Sequence, residues 1–226
     1  MFPCLPFGVE DLDGAPNVTV VFIHIPAVCL MRGFVVYSFD LKTQVWTRLA
    51  DMTRDRSHFK AVTIGDEVFA VGTHSLVAAG TIEKLSLTTQ QWSAIAPLPQ
   101  RSRTVGAAAF KGLLRLMGGV DDFSSQGKLT AFKAFHTYDA SADAWTEGPS
   151  LLVPRYGHAA VEFDGRLWVA GGRVLEDGRT RATNSVEVFS EEKGCWEAGP
   201  AMLRKRDFHD LFVIGGHLYA GNGTLT

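Results

Sequence analysis

Cysteine is scarce in this chain of 226 residues, which contains Cys4, Cys29 and Cys195. Small secreted domains rely on several paired cysteines, and an odd total of three does not provide such a disulfide framework. A chain of this length can bury a substantial hydrophobic core without disulfides. The cysteine content therefore predicts a reduced protein with a cytoplasmic location.

Long apolar runs are also missing. The longest, Val18–Met31, has about 14 residues, fewer than the ~20 that a membrane-spanning helix needs, and Pro26 interrupts it. Glu10, Asp11 and Asp13 precede this run, whereas a secretory signal peptide carries positive charge before its apolar segment. The sequence therefore predicts neither a membrane span nor a signal peptide, and no membrane partner.

Positive charge is not in excess. The chain has 22 Lys and Arg residues against 24 Asp and Glu residues, which gives a formal net charge of −2. Nucleic-acid binding depends on a cationic surface, because contacts to the phosphate backbone dominate the affinity. The overall charge therefore gives no support for a nucleic-acid partner.

Clustered metal ligands and catalytic motifs are lacking in the sequence as well. A copper or zinc site needs several ligands that converge on one point. The histidines are instead scattered through different predicted strands, at His24, His58, His74, His136, His158, His209 and His217. No nucleophile–base pair is visible in the sequence. We therefore expect no metal, no cofactor and no enzymatic activity.

The chain does contain a repeat. Trp46, Trp92, Trp145 and Trp196 recur at intervals of 46, 53 and 51 residues. A large apolar residue stands seven positions before each tryptophan and another stands 18 positions after it; these are Phe39, Leu85, Tyr138 and Phe189, and Ile64, Phe110, Phe163 and Ile214. Self-similarity at a period near 50 indicates a repeat architecture built from one supersecondary unit.

One copy of the unit can be read between residues 155 and 206. Four short apolar runs lie there between turn signals, at Gly157–Phe163, Leu167–Ala170, Val186–Phe189 and Cys195–Glu197. Asp164-Gly165 joins the first two runs, and Asp-Gly between apolar runs is the strongest short hairpin signal. The pattern predicts a four-stranded antiparallel meander.

The unit resembles the kelch repeat, which forms one blade of a β-propeller. The matching residues are Arg155-x-x-His158, Leu167–Gly172, Val186–Phe189 and Trp196. The resemblance covers residues 35–226 and implies an all-β fold, a kelch-type β-propeller of four-stranded antiparallel blades. The departures are Gly72-Thr73 and Asn222-Gly223 in place of the glycine pair, and Arg103-Thr104-Val105 in place of Arg-x-x-His.

The phase of the repeat divides the chain into blades. We predict complete blades at 57–95, 104–148 and 156–199, and a half blade at 207–223. Residues 1–34 are expected to be an irregular lead-in, in which Val18–Ile25 is the second strand of a degenerate first blade that lacks its first strand. Val35–Phe39 and Val45–Leu49 would complete that blade.

These copies supply four to five blades, fewer than the about six that the kelch resemblance implies for a closed ring. We therefore predict a partial or open propeller with an exposed strand edge. Unpaired N–H and C=O groups along such an edge favour self-association.

The periodic tryptophans and the glycine pairs are predicted to be structural. Large indole rings at equivalent positions pack neighbouring blades together. Gly118-Gly119 and Gly171-Gly172 end a strand where the backbone must turn or approach another segment closely, and a side chain would obstruct that approach.

Basic residues recur in phase with the repeat. The window from eight to twelve residues after each tryptophan holds eight of the 22 basic residues: Arg54, Arg56, Arg101, Arg103, Arg155, Arg204, Lys205 and Arg206. Several kelch propellers use the arginine that opens the innermost strand to hold acidic or phosphorylated peptides. The resemblance gives this role to Arg56, Arg155 and Arg206, with Arg103 one place out of register. The alternative is that these arginines form a solvated rim or pair with acids of the same chain.

Three further residues belong to the predicted partner face because they lie in long insertions. Asp121 and Phe123 fall in the insertion Val120–Lys133, and Arg179 falls in Arg173–Asn184. Surface loops on a rigid scaffold are where binding residues concentrate. The alternative is that these residues belong to solvated, variable loops.

The function that these features and the resemblance imply is protein recognition. The expected partner is an acidic or phosphorylated segment of another protein, bound through the face of the inter-blade loops. Kelch propellers often read substrates within ubiquitin-ligase adaptors, and others bind actin or cytoskeletal scaffolds. The alternative from a different class is a sugar-acting kelch-type enzyme, either an epimerase or an oxidase.

Overall fold

The computed structural model describes residues 19–23, 27–32, 35–40, 42–56, 59–72, 80–100, 102–121 and 129–225. The regular elements in these ranges are all β-strands, joined by turns and short loops. The described residues contain no helix that is long and apolar enough to span a membrane.

The first blade is a four-stranded antiparallel sheet. Its strands, in spatial order, are β1 (Thr19–Ile23), β2 (Ala27–Arg32), β3 (Val35–Asp40) and β4 (Val45–Arg48). The prediction that Val18–Ile25 is the second strand of a blade without a first strand is wrong. The apolar run after Pro26 is a strand in its own right, because β2 pairs with β1 on one side and with β3 on the other.

Three further blades repeat the same antiparallel order. The second blade contains β5 (Lys60–Ile64), β6 (Glu67–Val71), β7 (Ile82–Ser86) and β8 (Gln91–Ile95). The third contains β9 (Gly106–Phe110), β10 (Leu113–Met117), β13 (Phe135–Asp139) and β14 (Ala144–Glu147). The fourth contains β15 (Ala159–Phe163), β16 (Arg166–Ala170), β19 (Val186–Ser190) and β20 (Cys195–Ala198). All of these strands lie within the predicted blade bounds.

Two of the insertions form small hairpins between the second and third strands of a blade. In the third blade these are β11 (Val120–Asp121) and β12 (Thr130–Ala131), and in the fourth β17 (Arg173–Glu176) and β18 (Arg179–Ala182). Arg179 therefore lies in a paired strand rather than in an irregular loop. Most of the remaining predicted insertion, residues 73–79 of Thr73–Gly80, lies outside the described residues.

The chain ends in a half blade, residues 206–225. It consists of β22 (Asp210–Ile214) paired with β23 (His217–Gly221), flanked by the short strands β21 (Arg206–Asp207) and β24 (Thr224–Leu225), which pair with each other. In the described ranges, no third strand pairs with β23. The predicted half blade thus has the two strands expected of it.

The predicted Asp-Gly hairpin is present between β15 and β16. Phe163 pairs with Arg166 across it, and the two residues between them have positive φ, 51° at Asp164 and 65° at Gly165. Both central residues of a type I′ turn require this conformation, which Asp tolerates and Gly adopts freely.

Neighbouring blades pack face to face and share their hydrophobic cores. The innermost strands lie in the order β1, β5, β9, β15 and β22, each against the next. Between the third and fourth blades, Phe110 and Phe135 pack with Leu167 and Trp196 in one buried cluster. A single blade cannot bury both of its faces, so the blades stabilise one another.

The all-β fold of four-stranded antiparallel kelch-type blades is confirmed. No strand pairing among the described residues connects the half blade to the first blade. The half blade instead touches the second blade, where Lys60 Nζ lies 2.6 Å from Asp210 Oδ1. Self-association through an open edge stays a prediction.

The periodic tryptophans also join the blades by hydrogen bonds. The indole nitrogens of Trp92, Trp145 and Trp196 donate to the carbonyls of Ala50, Ala96 and Pro149, at 2.8, 2.8 and 2.9 Å. Each acceptor lies four residues after the tryptophan of the preceding repeat. The indole is therefore a blade-to-blade contact, whereas Trp46 in the first repeat is 42% exposed.

Replacing Trp196 by Phe is expected to lower the free energy of unfolding by about 1–2 kcal/mol. The change removes the hydrogen bond to the Pro149 carbonyl and part of the volume that the buried indole of Trp196 fills between the blades. Trp168→Phe is the matched control, because that indole donates to Phe163 within its own hairpin and its side chain is half-buried. Urea unfolding of both variants measures the difference. A Trp168→Phe cost equal to or above that of Trp196→Phe contradicts the inter-blade role.

Candidate functional site

Two of the predicted binding arginines are fully buried. Arg56 is 1% exposed and Arg155 is 0% exposed, and each forms an ion pair with a buried glutamate, Glu83 and Glu187 respectively. A guanidinium group in this position cannot contact a partner protein. The predicted partner-binding role of Arg56 and Arg155 is therefore corrected to a structural one, in agreement with the alternative that they pair with acids of the same chain.

The pair in the fourth blade shows how this arrangement is built. Arg155 lies on the segment that enters the blade, and its guanidinium donates to Glu187 Oε1 at 2.7 Å and to the carbonyl of Gly171 at 2.9 Å. It also donates to the carbonyl and hydroxyl of Ser185, at 3.2 and 3.0 Å.

The glutamate of the pair holds the loop that connects two blades. Glu187, on β19, accepts the backbone N–H groups of Leu152 and Val153 at 2.6 and 3.2 Å. These two residues follow the last strand of the third blade. We call the whole set of contacts, from arginine to glutamate to loop amides, the Arg–Glu clamp.

The second blade contains the same clamp. Arg56 donates to Glu83 Oε1 at 3.0 Å, to the carbonyl of Gly72 at 3.0 Å and to that of Thr81 at 2.9 Å. Glu83 accepts the backbone N–H of Thr53 at 3.1 Å. The arginine contacts of the fourth-blade clamp therefore have equivalents here, including the one to the hydroxyl residue two positions before the glutamate, and the Thr53 hydroxyl donates to Glu83 in place of a second loop amide.

Burial lowers the pKa of both clamp arginines. Desolvation lowers the pKa of Arg56 and of Arg155 from its ordinary value, and the adjacent glutamates oppose the shift. Arginine nonetheless stays protonated in proteins near neutral pH. Each clamp is thus a buried, hydrogen-bonded ion pair within one blade, and its glutamate holds the loop that arrives from the preceding blade.

The third blade lacks the clamp, because its arginine, its glutamate and its loop amide are all absent. Ser102 stands where the arginine would be, and His136 where the glutamate would be. Pro99, which has no N–H to donate, stands where Thr53 and Leu152 donate in the other blades. A cavity of about 10 Å³ lies between these elements. In the described part of the chain, Ser102 Oγ and His136 Nδ1 are buried without a hydrogen-bond partner.

The half blade keeps the arginine of the clamp. Arg206 donates to the carbonyl of Asn222 at 3.1 Å. This bond corresponds to those from Arg56 to Gly72 and from Arg155 to Gly171, because 16 residues separate donor and acceptor each time. A third strand that could carry the glutamate is not among the described residues of this blade.

The glycine pairs lie where the next blade comes closest. The amides of Gly119 and Gly172 donate to the carbonyls of Arg155 and Arg206, both at 2.8 Å. A Cβ on Gly118 would lie 2.4 Å from the Arg155 carbonyl oxygen, and one on Gly171 would lie 2.7 Å from that of Arg206. Side chains are therefore excluded from both positions.

Exposed positive charge is concentrated beside the half blade. Arg179 and Arg181 lie on β18, Arg204 and Lys205 lie on the loop before β21, and all four are exposed. The two segments are joined by backbone pairing, since the N–H of Arg206 donates to the carbonyl of Thr183. We call these four side chains the basic patch. In the described structure, neither a hydrogen bond nor an ion pair engages them.

The other predicted partner-face residues are separated or fall outside the description. Arg101 and Phe123 lie outside the described residues. Arg103 pairs through its backbone with Val120, next to Asp121, on the third blade, and both predicted side chains there are half-buried. The structure thus joins the segments that carry Arg206 and Arg179 but places Arg103 and Asp121 on another blade.

A channel of about 370 Å³ lies among the innermost strands. Alanines of β9 and β15 form much of its wall, and Lys60 and Asp210 meet at it. None of Arg56, Arg103, Arg155 and Arg206 is among the described residues that line it. The described residues also contain no group of three or more His, Cys, Asp or Glu that could hold a metal ion.

Sequence reasoning missed Glu83 and Glu187. Both stand nine residues before a periodic tryptophan, and both are preceded by a hydroxyl residue and a β-branched residue. This recurrence is visible in the sequence. It could have been matched to the arginine ten residues after the preceding tryptophan.

Comparisons with known proteins agree with this fold. The model of the kelch motif matches residues 154–203. Alpha-scruin of Limulus polyphemus is 24% identical over 195 residues, which cover 83% of this chain and 21% of that protein. Kelch-like protein 35 of Mus musculus is 25% identical over 217 residues, which cover 79% of this chain and 37% of that protein. Kelch-like protein terF of Aspergillus terreus is 27% identical over 142 residues, or 61% of this chain and 30% of that protein.

The chain thus spans about a fifth to just over a third of the length of these relatives. The matched kelch motif coincides with the fourth blade and its clamp. By its fold, its repeat and these matches, the chain contains a kelch motif at residues 154–203 and is distantly homologous to the scruins and the kelch-like proteins over most of its length.

Proposed function

We propose that this chain is a protein-recognition module that binds an acidic or phosphorylated segment of another protein through the basic patch. The observation that carries the proposal is the contrast between two groups of arginines. Arg56 and Arg155 are buried and form ion pairs with carboxylates of the same chain. Arg179 and Arg204 are exposed, lie on two segments that are joined by backbone pairing between Thr183 and Arg206, and are engaged by no carboxylate in the described structure.

The chemistry of the patch suits an anionic partner. Guanidinium groups donate paired, planar hydrogen bonds to carboxylates and phosphates. A single exposed ion pair contributes only about 0–1 kcal/mol. Several cations on two adjoining segments can act together on one bound segment, and like charges gathered on one surface repel each other until an anion binds.

The role that the kelch resemblance suggests is substrate reading within a cytoplasmic ubiquitin-ligase adaptor, without catalysis by this chain. Adaptor assembly requires other polypeptide segments, so the module supplies the recognition step alone. Actin binding is the other assembly that the resemblance implies. Co-sedimentation with actin filaments distinguishes it from recognition of a short acidic segment.

The test uses a labelled octaglutamate peptide and a phosphoserine peptide, with binding measured by fluorescence anisotropy. The double variant Arg179→Glu/Arg204→Glu is expected to weaken binding by about tenfold or more and to leave the melting temperature nearly unchanged, because both side chains are exposed. Binding by the unaltered chain should also weaken as salt screens the patch beyond about 8–10 Å.

The matched control is Lys42→Glu/Lys133→Glu, which changes the net charge equally at two exposed positions on other blades. This control should bind as the unaltered chain does. Equal losses in both variants indicate nonspecific charge attraction and contradict the proposal. Turnover of an oligosaccharide in a parallel screen, without peptide binding, supports the sugar-acting alternative instead.

A further inference from the structure

We infer that the third blade binds one water molecule at the point that the arginine occupies in the two Arg–Glu clamps. The water is held by the side chains of Ser102 and His136 and by the backbone carbonyls of Gly118 and Ala134. The site lies inside one blade and is separate from the basic patch. The inference goes beyond the proposed function, because it assigns a ligand site that partner binding does not require.

The first line of argument is that the third blade keeps the backbone on which a clamp is built. The N–H of Gly118 donates to the carbonyl of Ala134 at 2.8 Å, and in the fourth blade the N–H of Gly171 donates to the carbonyl of Ser185 at 3.0 Å. Gly171 and Ser185 carry the two carbonyls that accept from the clamp arginine. The equivalent carbonyls of the third blade are therefore those of Gly118 and Ala134.

The second line of argument is that two shorter side chains stand at the two clamp positions. Ser102 lies 16 residues before the glycine that follows β10, the separation that each clamp arginine has from its glycine acceptor. His136 stands opposite Leu116 on β10. Glu187 stands opposite Val169 on β16, which is the same register. The serine thus replaces the arginine, and the histidine replaces the glutamate.

The third line of argument is that one atom of the arginine defines the point. Arg155 Nη1 donates to both carbonyls, of Gly171 and Ser185, at 2.9 and 3.2 Å. Arg56 Nη1 does the same in the second blade, at 3.0 and 2.9 Å. A serine side chain is too short to place a donor there. Because carbonyls only accept, the group that replaces Nη1 must donate two hydrogen bonds, as one water molecule does.

The fourth line of argument is that a cavity of the right size and polarity lies at this point. Its volume is about 10 Å³, and Ser102, Gly118, Ala134 and His136 are among the residues that line it. A polar cavity of this volume holds about one water molecule. Ser102 is 3% exposed, and neither its Oγ nor His136 Nδ1 has a hydrogen-bond partner among the described residues. Ordered water ordinarily satisfies such buried polar atoms.

The four groups around the cavity match the hydrogen-bonding capacity of one water molecule. Water donates two hydrogen bonds and accepts two. The carbonyls of Gly118 and Ala134 take both donors, so the Ser102 hydroxyl and the His136 ring must each donate to the water oxygen. The histidine is then the tautomer with its proton on Nδ1, since the hydrogen bond that a ring nitrogen makes sets the tautomer.

The charges around the cavity favour water over a metal cation. The described residues that line it include no carboxylate. Desolvation by burial lowers the pKa of His136, and the opposing effect of Glu147 is smaller, so the ring is neutral near neutral pH. An ion buried here would have no counter-charge, which is strongly unfavourable. Neutral water has no such penalty.

The test is a high-resolution crystal structure of the unaltered 226-residue chain, combined with NMR of its histidine rings. We expect one density peak at about 2.7–3.2 Å from the carbonyl oxygens of Gly118 and Ala134, from Ser102 Oγ and from His136 Nδ1. Replacing sodium by rubidium in the crystal should leave the height of this peak unchanged. Long-range ¹H–¹⁵N spectra should show the proton of His136 on Nδ1.

A variant that displaces the water tests the hydrogen bond to His136. Ser102→Val removes the hydroxyl and puts two methyl groups into the cavity, so Nδ1–H loses its acceptor and should fall from the main tautomer of His136 to a minor one. Thr63→Val is the matched control. It removes another hydroxyl that is buried without a partner among the described residues, on a different blade. The tautomer of His136 should not change in this control.

Four outcomes overturn the inference. They are an empty cavity surrounded by well-ordered polar atoms, a peak that grows when rubidium replaces sodium, a proton on Nε2 of His136 in the unaltered chain, and equal changes of tautomer in Ser102→Val and Thr63→Val. If Ser102→Val does not fold, the density and the tautomer of the unaltered chain still decide. Partner binding is not measured in any of these experiments, so failure of the basic patch leaves this inference intact.

Discussion

Replacing Glu187 by Ala is expected to lower the free energy of unfolding by about 3–5 kcal/mol, the effect of removing one partner of a buried ion pair. Arg155 is 0% exposed and would remain buried without its carboxylate. The backbone N–H groups of Leu152 and Val153 would lose their acceptor at the same time. One substitution therefore leaves a buried charge and two loop donors unsatisfied.

The size of this effect compared with total stability makes it easy to detect. Domains are typically stable by about 5–15 kcal/mol, so the variant should unfold at a much lower urea concentration. The loop that joins the third and fourth blades should also exchange its amide hydrogens faster, because Glu187 fixes it to β19. Both results follow from the same carboxylate.

Two matched variants separate the ion pair from side-chain packing. Glu191→Ala removes an exposed carboxylate in the turn after β19, together with its exposed ion pair to Lys111, and should cost less than about 1 kcal/mol. Arg155→Met/Glu187→Leu removes both charges and should cost less than Glu187→Ala alone, since no buried charge is left without a partner. A double variant that is less stable than Glu187→Ala contradicts the uncompensated-charge explanation.

The sequence predicted the fold well because the repeat constrains it locally. Each periodic tryptophan has a fixed distance to its neighbouring strands, and turns such as Asp164-Gly165 encode their own geometry. The strands of the first blade were predicted wrongly because Val18–Ile25 was taken as its second strand. Pro26 interrupts the apolar run Val18–Met31, and the residues after it form a strand of their own, Ala27–Arg32.

The candidate site was harder to predict because the positions of arginines in the sequence do not show which carboxylates they pair with in the fold. Arg56, Arg155 and Arg206 have the same phase in the sequence, yet two are buried and one is only half-buried. What distinguishes them is a glutamate on another strand, 27 residues after Arg56 and 32 after Arg155. The length of the insertion between the strands varies, so a search at a fixed distance from the arginine does not find it.

Acid is expected to destabilise this protein between pH 6.5 and about pH 4 because two histidines are buried in neutral form. His158 and His209 are both 0% exposed, and neither ring has a hydrogen-bond partner among the described residues. Burial lowers the pKa of His158 well below its ordinary value, with Arg155 and Lys60 adding to the shift. Burial, followed by Lys60, lowers the pKa of His209 to about 4.

The sign of the effect follows from the proton count. The unfolded chain binds a proton at each histidine below pH ~6.5, whereas the folded chain does not until the pH falls to the lowered pKa. The stability contribution is therefore complete above pH ~6.5 and is lost as the pH falls. For His209 the loss by pH 4 is about 3 kcal/mol, since one unit of pKa shift corresponds to about 1.4 kcal/mol.

The variant His209→Leu tests this assignment, because leucine is buried without a proton to gain. Urea unfolding at pH 7.5, 6.5, 5.5 and 4.5 should show that the difference in unfolding free energy between the variant and the unaltered chain shifts in favour of the variant by about 2.5 kcal/mol between pH 7.5 and pH 4.5. Carboxylates that titrate in the same range contribute equally to both proteins and cancel in this comparison. Parallel pH profiles for the two proteins would show that His209 titrates normally in the folded chain, and the acid sensitivity would then have to come from other groups.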